Sequence, residues 1–309
     1  MVKKLVEFNF LECWLHCARV QPQIYDMVTL GNTDTELFVR TMESMPLDFI
    51  AFNVKRLCLS VSVGGDNATH ILRSCTGVVD LAFWLDYLQT FPEHSLSPLI
   101  SPLPLRRLSI ELSHYRALFR ESTAWCETLT HLDIIFWSWE TSPVIPYLDK
   151  LPSLSHLLLR LRHNRANKGS LLAILSACKA LKILVIYDES DRTEDAVLAV
   201  DPRVVRIRYP ANVVRDWESR AKLDWNCTWS RAEELVRKQK HAAQRQGWIF
   251  YFIFKKGHAF GKGNADHPWS GLTPAQWRCW STSVRLQVEL YIDKSKRWPT
   301  SRVSNGPSF

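Results

Sequence analysis

The chain has 309 residues, 46% apolar and 23% charged, a balance that excludes wholesale disorder and permits a sizeable buried core. Its apolar run Trp248 to Phe254 is seven residues long, against the roughly 18 to 20 that a membrane-crossing helix needs, so no membrane span is expected. The net charge of +8 is uneven: residues 211–309 hold 17 Lys and Arg against 8 Asp and Glu, while residues 1–210 hold 22 against 23, so the basicity belongs to a C-terminal segment and not to the whole protein.

At the N-terminus, Lys3 and Lys4 are followed by Glu7, Asn9 and Glu12, which interrupt any signal-peptide core, so a cytoplasmic or nuclear protein is expected. The eight cysteines are scattered, without the dense spacing of a disulfide-stapled domain, and are read as reduced thiols. Cys13, His16 and Cys17 lie within about one helical turn, but no second ligand pair at zinc-site spacing follows. Helix packing is expected there, and no metal or cofactor.

From residue 54 one pattern recurs: apolar, two variable, apolar, one variable, apolar. It fits Val54-Leu57-Leu59, Val78-Leu81-Phe83, Leu105-Leu108-Ile110, Leu129-Leu132-Ile134, Leu154-Leu157-Leu159 and Leu181-Leu184-Ile186, with Val204-Ile207-Tyr209 as a weaker seventh copy. Successive copies begin 23 to 27 residues apart, inside the roughly 20 to 29 of leucine-rich repeats. Cys75, Cys126 and Cys178 each precede the first apolar position of a copy by three residues, an independent sign of one phase. The last two apolar positions, one residue apart, both point inward from a short strand. Between strands, 69–74 and 170–177 carry apolar residues at helical spacing. The pattern therefore predicts an α/β leucine-rich-repeat-like solenoid over 23–210, with a short parallel sheet and helices on its convex side.

The chain resembles the F-box and leucine-rich-repeat-like proteins of mushroom-forming fungi. The resemblance is carried by 22–30 (PQIYDMVTL), 54–59 (VKRLCL), 75–81 (CTGVVDL), 105–110 (LRRLSI), 129–134 (LTHLDI) and 201–205 (DPRVV), and ends around Asp216-Trp217-Glu218 and 229–236. It implies an F-box that docks on the Skp adaptor of a cullin-RING ubiquitin ligase, with repeats that hold the substrate. Only something like the last F-box helix is matched, Leu11 to Val20 running into Pro22, and the opening Leu-Pro-rich element is absent. Residues 1–22 are accordingly read as an F-box remnant.

On each repeat strand the positions beside the inward residues face the concave side, where such folds usually bind partners. Arg107, His131, Asp133, His156, Leu158, Ile183, Val185, Arg206 and Arg208 are the candidate partner-binding residues, with Leu158, Ile183 and Val185 as an exposed apolar ladder. Trp84, Trp137 and Trp139 follow strand ends and are candidate aromatic anchors.

Residues 211–240 read as a capping helix, centred on 217–240, that covers the open end of the solenoid. Residues 241–309 are expected to form a poorly ordered basic tail. Gly257 to Gly263 echoes a phosphate loop, but with three residues between the glycines and no Ser or Thr for magnesium. No nucleophile elbow, zincin pair or kinase signature occurs. The expected function is protein–protein interaction, not catalysis, with the resemblance implying a ubiquitin-ligase substrate receptor or a relative without adaptor binding. The alternative is a basic-tailed binder of nucleic acid or an anionic membrane surface, nucleic acid being the less expected partner.

Overall fold

The computed structural model describes residues 22–87, 95–119, 124–137, 144–161, 168–188 and 201–260. The chain divides into two compact units, 1–245 and 246–309, and the architecture below is that of the first. Cys13, His16, Cys17, the expected F-box remnant up to residue 21, Trp139 and the tail beyond 260 lie outside the described residues.

Eight strands form one parallel sheet in chain order: β1 (Met27–Leu30), β2 (Arg56–Leu59), β3 (Asp80–Phe83), β4 (Arg107–Glu111), β5 (His131–Phe136), β6 (His156–Leu161), β7 (Ile183–Asp188) and β8 (Val204–Arg208). β1 precedes the first sequence copy and adds a strand to the repeat. The connections between strands carry α1 (Asn32–Ser44), α2 (Leu47–Asn53), α3 (Gly65–Ser74), α4 (Ser97–Ile100), α5 (Leu112–Leu118) and α6 (Lys168–Ala177), with single 3-10 turns at Ala124–Cys126 and Leu148–Lys150. The two helices expected from spacing at 69–74 and 170–177 are the C-terminal parts of α3 and α6.

Register follows the repeat. Leu57, Leu81, Leu108, Leu132, Leu157 and Leu184 are cross-strand partners in one row, so the apolar side chains stack in layers. The carbonyl just before each strand accepts two amides from the next copy: Lys55 O from Val79 and Asp80, Val79 O from Arg106 and Arg107, Arg106 O from Thr130 and His131, and Thr130 O from Ser155 and His156. This shared acceptor locks each copy one step along from the last. The first apolar positions Val54, Val78, Leu105, Leu129, Leu154 and Leu181 are all buried at the bends.

Because side chains alternate along a strand, the sheet has two chemically distinct faces. The first carries the leucine row and packs against α1 to α6 in a core that includes Phe38, Ile71, Tyr115, Trp125 and Ile174. Gly77, in the turn before β3, sits where a Cβ would overlap the backbone carbonyl oxygen of Ala51 and crowd Lys55 Nζ. A close approach, and not backbone angle, requires glycine here. Gly77→Ala is expected to destabilise the fold by about 1 to 3 kcal/mol, read as a lower midpoint in urea; an unchanged midpoint would show that the turn yields freely.

Three expectations are corrected. The seventh copy is out of phase by three residues, since Leu184 pairs with Val204 and Val185 with Val205. Val204 and Ile207, three residues apart, point to opposite faces, and because both are apolar the three-residue shift leaves the pattern looking intact. Nor is there one helix over 217–240. Instead α7 (Val213–Lys222) ends at Leu223 in the left-handed conformation, φ 56°, and α8 (Thr228–Phe260) starts after a turn. Helix α8 also continues past residue 240, into the stretch from 241 that was expected to be tail.

Candidate functional site

The second sheet face was expected to be open. It is covered by α7 and the first turns of α8. Leu158, Ile183, Val185, Tyr187, Val205 and Ile207 pack against Cys227, Trp229, Ala232 and Val236, while Cys58, Ala82, Trp84 and Ile135 pack against Trp217 and Ala221. The apolar ladder Leu158-Ile183-Val185 is therefore fully buried, and a Leu158→Glu, Val185→Glu chain would not keep its fold unchanged as an open surface would allow. The helices cover a face, not the end that a capping helix was expected to close. A sheet face with so much aliphatic surface cannot remain in water when an amphipathic segment of the same chain is at hand.

Arg206 and Arg208 are displaced from this face by the register correction. Val205 and Ile207 occupy it instead, leaving Arg206 half-buried and Arg208 exposed on the other side. The remaining candidates Arg107, His131, Asp133 and His156 do lie together beneath the helices, in neighbouring strands.

Asp133 is the centre. Arg160 donates to it from Nε (2.9 and 3.0 Å) and Nη2 (2.6 Å), Ser109 Oγ at 2.8 Å and Arg220 Nη2 of α7 at 2.9 Å. Burial alone would raise this carboxyl, but Arg160 and Arg220 outweigh it and hold it below the usual carboxylate range. Trp84 Nε1 donates to Ser109 Oγ at 2.8 Å, and the Arg160 guanidinium lies 5.1 Å from the Trp84 ring centre. Arg220 also donates to Asp216 at 3.0 Å; Asp216 in turn accepts from Tyr187 OH at 2.7 Å and Thr228 Oγ1 at 2.6 Å. One row away, Arg56, Asp80 and Arg107 are cross-strand neighbours. Arg107 Nε meets Asp80 at 3.0 Å, yet burial dominates and leaves the Asp80 carboxyl raised.

The same row continues into His131 and His156, whose register pairing stacks the rings 4.2 Å apart at 7°. Trp229 closes over both edge-on, at 5.3 and 5.4 Å. Their Nδ1 atoms meet Thr130 Oγ1 and Ser155 Oγ, each at 2.8 Å, and His156 Nε2 reaches Glu233 at 3.4 Å. Burial first, then His156, Arg107 and Arg220, push His131 down to about 3; burial also lowers His156, against the pull of Glu233.

A histidine that stays neutral in the fold but titrates at its ordinary value when unfolded binds more protons in the unfolded state below pH 6.5. Its stabilising contribution is complete above that pH and is lost as the pH falls toward 3. Between pH 7 and 5 the loss for His131 is expected to reach about 2 kcal/mol, measured by urea unfolding at both values. His131→Phe keeps a ring under Trp229 and removes the proton site, so its pH 7 to 5 difference should shrink by that amount; equal differences would contradict the assignment.

Arg160, Tyr187, Asp216, Arg220 and Trp229 were missed from sequence. Arg160 and Tyr187 had a signal: β6 and β7 have six residues each, so alternation through His156 and Leu158 continues to Arg160, and alternation through Ile183 and Val185 continues to Tyr187. A cavity beneath α7, lined by Asp80, Arg107, His131, Asp133, Trp217 and Arg220, is about 20 Å³, room for one water-sized molecule. Among the described residues no group of three or more His, Cys, Asp or Glu side chains could hold a metal, and no helix is long and apolar enough to cross a membrane. Trp84 is a buried part of this face, whereas Trp137 is partly exposed. In comparison with known proteins, no protein-family model matches the chain, and no curated protein sequence matches it either.

Proposed function

We infer that this chain is a protein-binding scaffold of the leucine-rich-repeat-like kind. The observation that carries the reading is a sheet eight strands wide whose second face changes from charged and aromatic rows on β2 to β6 to aliphatic rows on β6 to β8. Such a broad, mixed surface suits a polypeptide, and the chain's own α7 and first turns of α8 already lie on it, while the cavity of about 20 Å³ is far below the roughly 300 Å³ at which small-molecule sites begin. In this reading the chain is a relative of the F-box and leucine-rich-repeat-like proteins, either a substrate receptor of a cullin-RING ligase or a member without adaptor contact. Co-elution of the purified chain with a purified Skp-type adaptor supports the ligase role; separate elution leaves free-standing binding. The wider reading is tested by rebuilding binary complexes from the purified chain and candidates found by proximity labelling. Failure of every candidate to form a stable complex would sink it.

A second reading rests on the exposed basic run Arg237, Lys238 and Lys240 of α8, although Glu234 already pairs with the first two. Binding of the full chain to single-stranded nucleic acid or anionic vesicles should then fall steeply with salt. A flat response excludes it.

A further inference from the structure

We propose that the second sheet face is a groove for an arginine-bearing amphipathic helix, and that α7 with the start of α8 is its resident occupant, held in cis. The proposal rests on the protein-binding reading above and names the partner's chemistry: a helix that carries an acid, a tryptophan and, four residues after the acid, an arginine.

The contacts made to α7 define that chemistry. Asp133 accepts from Arg220 at 2.9 Å, Tyr187 OH donates to Asp216 at 2.7 Å, and Thr29 Oγ1 donates to Glu218 at 3.0 Å. Trp217 enters the apolar cluster of Cys58, Ala82 and Ile135. Two arginines of the sheet reach the end of the helix: Arg107 Nη1 donates to the carbonyl of Arg220 at 3.2 Å and Arg56 Nη1 to that of Ala221 at 3.0 Å. Cations there satisfy carbonyls that a helix leaves unpaired and face the negative end of its dipole. The sheet thus reads a helix terminus as well as its side chains.

Two observations make the occupant separable. The first-face core that holds all eight strands and α1 to α6 together contains no residue after Val204, so the strands do not need α7 or α8 to share an interior. The ionic groups on each side are also neutralised within that side. Asp133 keeps Arg160 and Ser109, Asp80 keeps Arg107, and Arg220 keeps its i,i+4 partner Asp216. Lifting the helix away therefore strands no lone buried charge, the costliest event in breaking an ionic contact. Apart from the Arg220 anchor and the hydrogen bonds above, what holds it down is aliphatic and aromatic surface, which a second amphipathic helix with the same acid, tryptophan and arginine covers equally well.

The test uses the full chain. In hydrogen exchange across a denaturant series, amides of 213–236 should open at lower free energy than those of β4 to β7, as a separate unit. Identical protection throughout, opening only with global unfolding, overturns the proposal. A labelled peptide of residues 211–240 should bind the full chain carrying Arg220→Ala about 10- to 100-fold more tightly than the wild-type chain, because the cis competitor has lost its charge-assisted anchor. The same peptide with Arg220→Ala should lose a similar factor. Equal affinities, in a variant whose strand amides remain protected, also overturn it. Separate opening with no protein partner found anywhere would sink the interaction reading and leave the groove standing; global opening alone would do the reverse.

Discussion

Replacing Asp133 by alanine is expected to destabilise the protein by about 3 to 5 kcal/mol, a fall in Tm on the order of 10 °C. The side chain is buried between two arginines that are themselves almost wholly buried. Removing it leaves Arg160 with ring contacts to Trp84 and Tyr187 but no counter-ion among the contacts seen around it. Arg220 is better placed, because Asp216 remains. The penalty is that of an uncompensated cation and not the net worth of the ion pair. A chain carrying Asp133→Leu together with Arg160→Met should accordingly recover most of the loss, since paired charges replaced by packed apolar groups are often neutral. If Asp133→Ala melts with the wild type, the network is not a buried charge system and the account of this face fails.

Leu157→Asp is expected to have the larger effect, loss of cooperative unfolding altogether. Leu157 is fully buried in the leucine row between Leu132 and Leu184, in the one core shared by all eight strands. A carboxylate there has no partner and either ionises at great cost or forces the layers apart. Its neighbour Leu158 is just as buried, but it faces Trp229 and Val236 in the separate cluster of the second face. Leu158→Glu should therefore expose the amides of α7 and α8 to exchange while the strands stay protected. Near-ultraviolet circular dichroism and hydrogen exchange together distinguish the two outcomes. A cooperative, wild-type-like melt for Leu157→Asp would show that the leucine row is not a common interior.

The contrast between these adjacent residues also marks what was readable beforehand. Alternation with period two assigns Leu157 and Leu158 to opposite faces from local pattern alone, and it did so for every strand from β2 to β7. At β8 it failed, because Val204, Val205 and Ile207 are apolar on both sides and the repeat template could slide by three residues without a visible penalty. Arg206 and Arg208 were carried to the wrong face by that slide.

The order of the strands, their parallel run and the identity of the inward leucines were determined by the amino-acid sequence itself, because contacts between successive copies repeat every two dozen residues and each copy restates the same pattern. What lies over the second face was decided only by tertiary structure. Asp133 and Arg220 are separated by 87 positions and Thr29 and Glu218 by 189, so no local period links them. The cover forms because aliphatic and aromatic surface on β2 to β8 and on α7 and α8 leaves water together, and the charged residues that looked like an open binding surface are drawn into pairs beneath it.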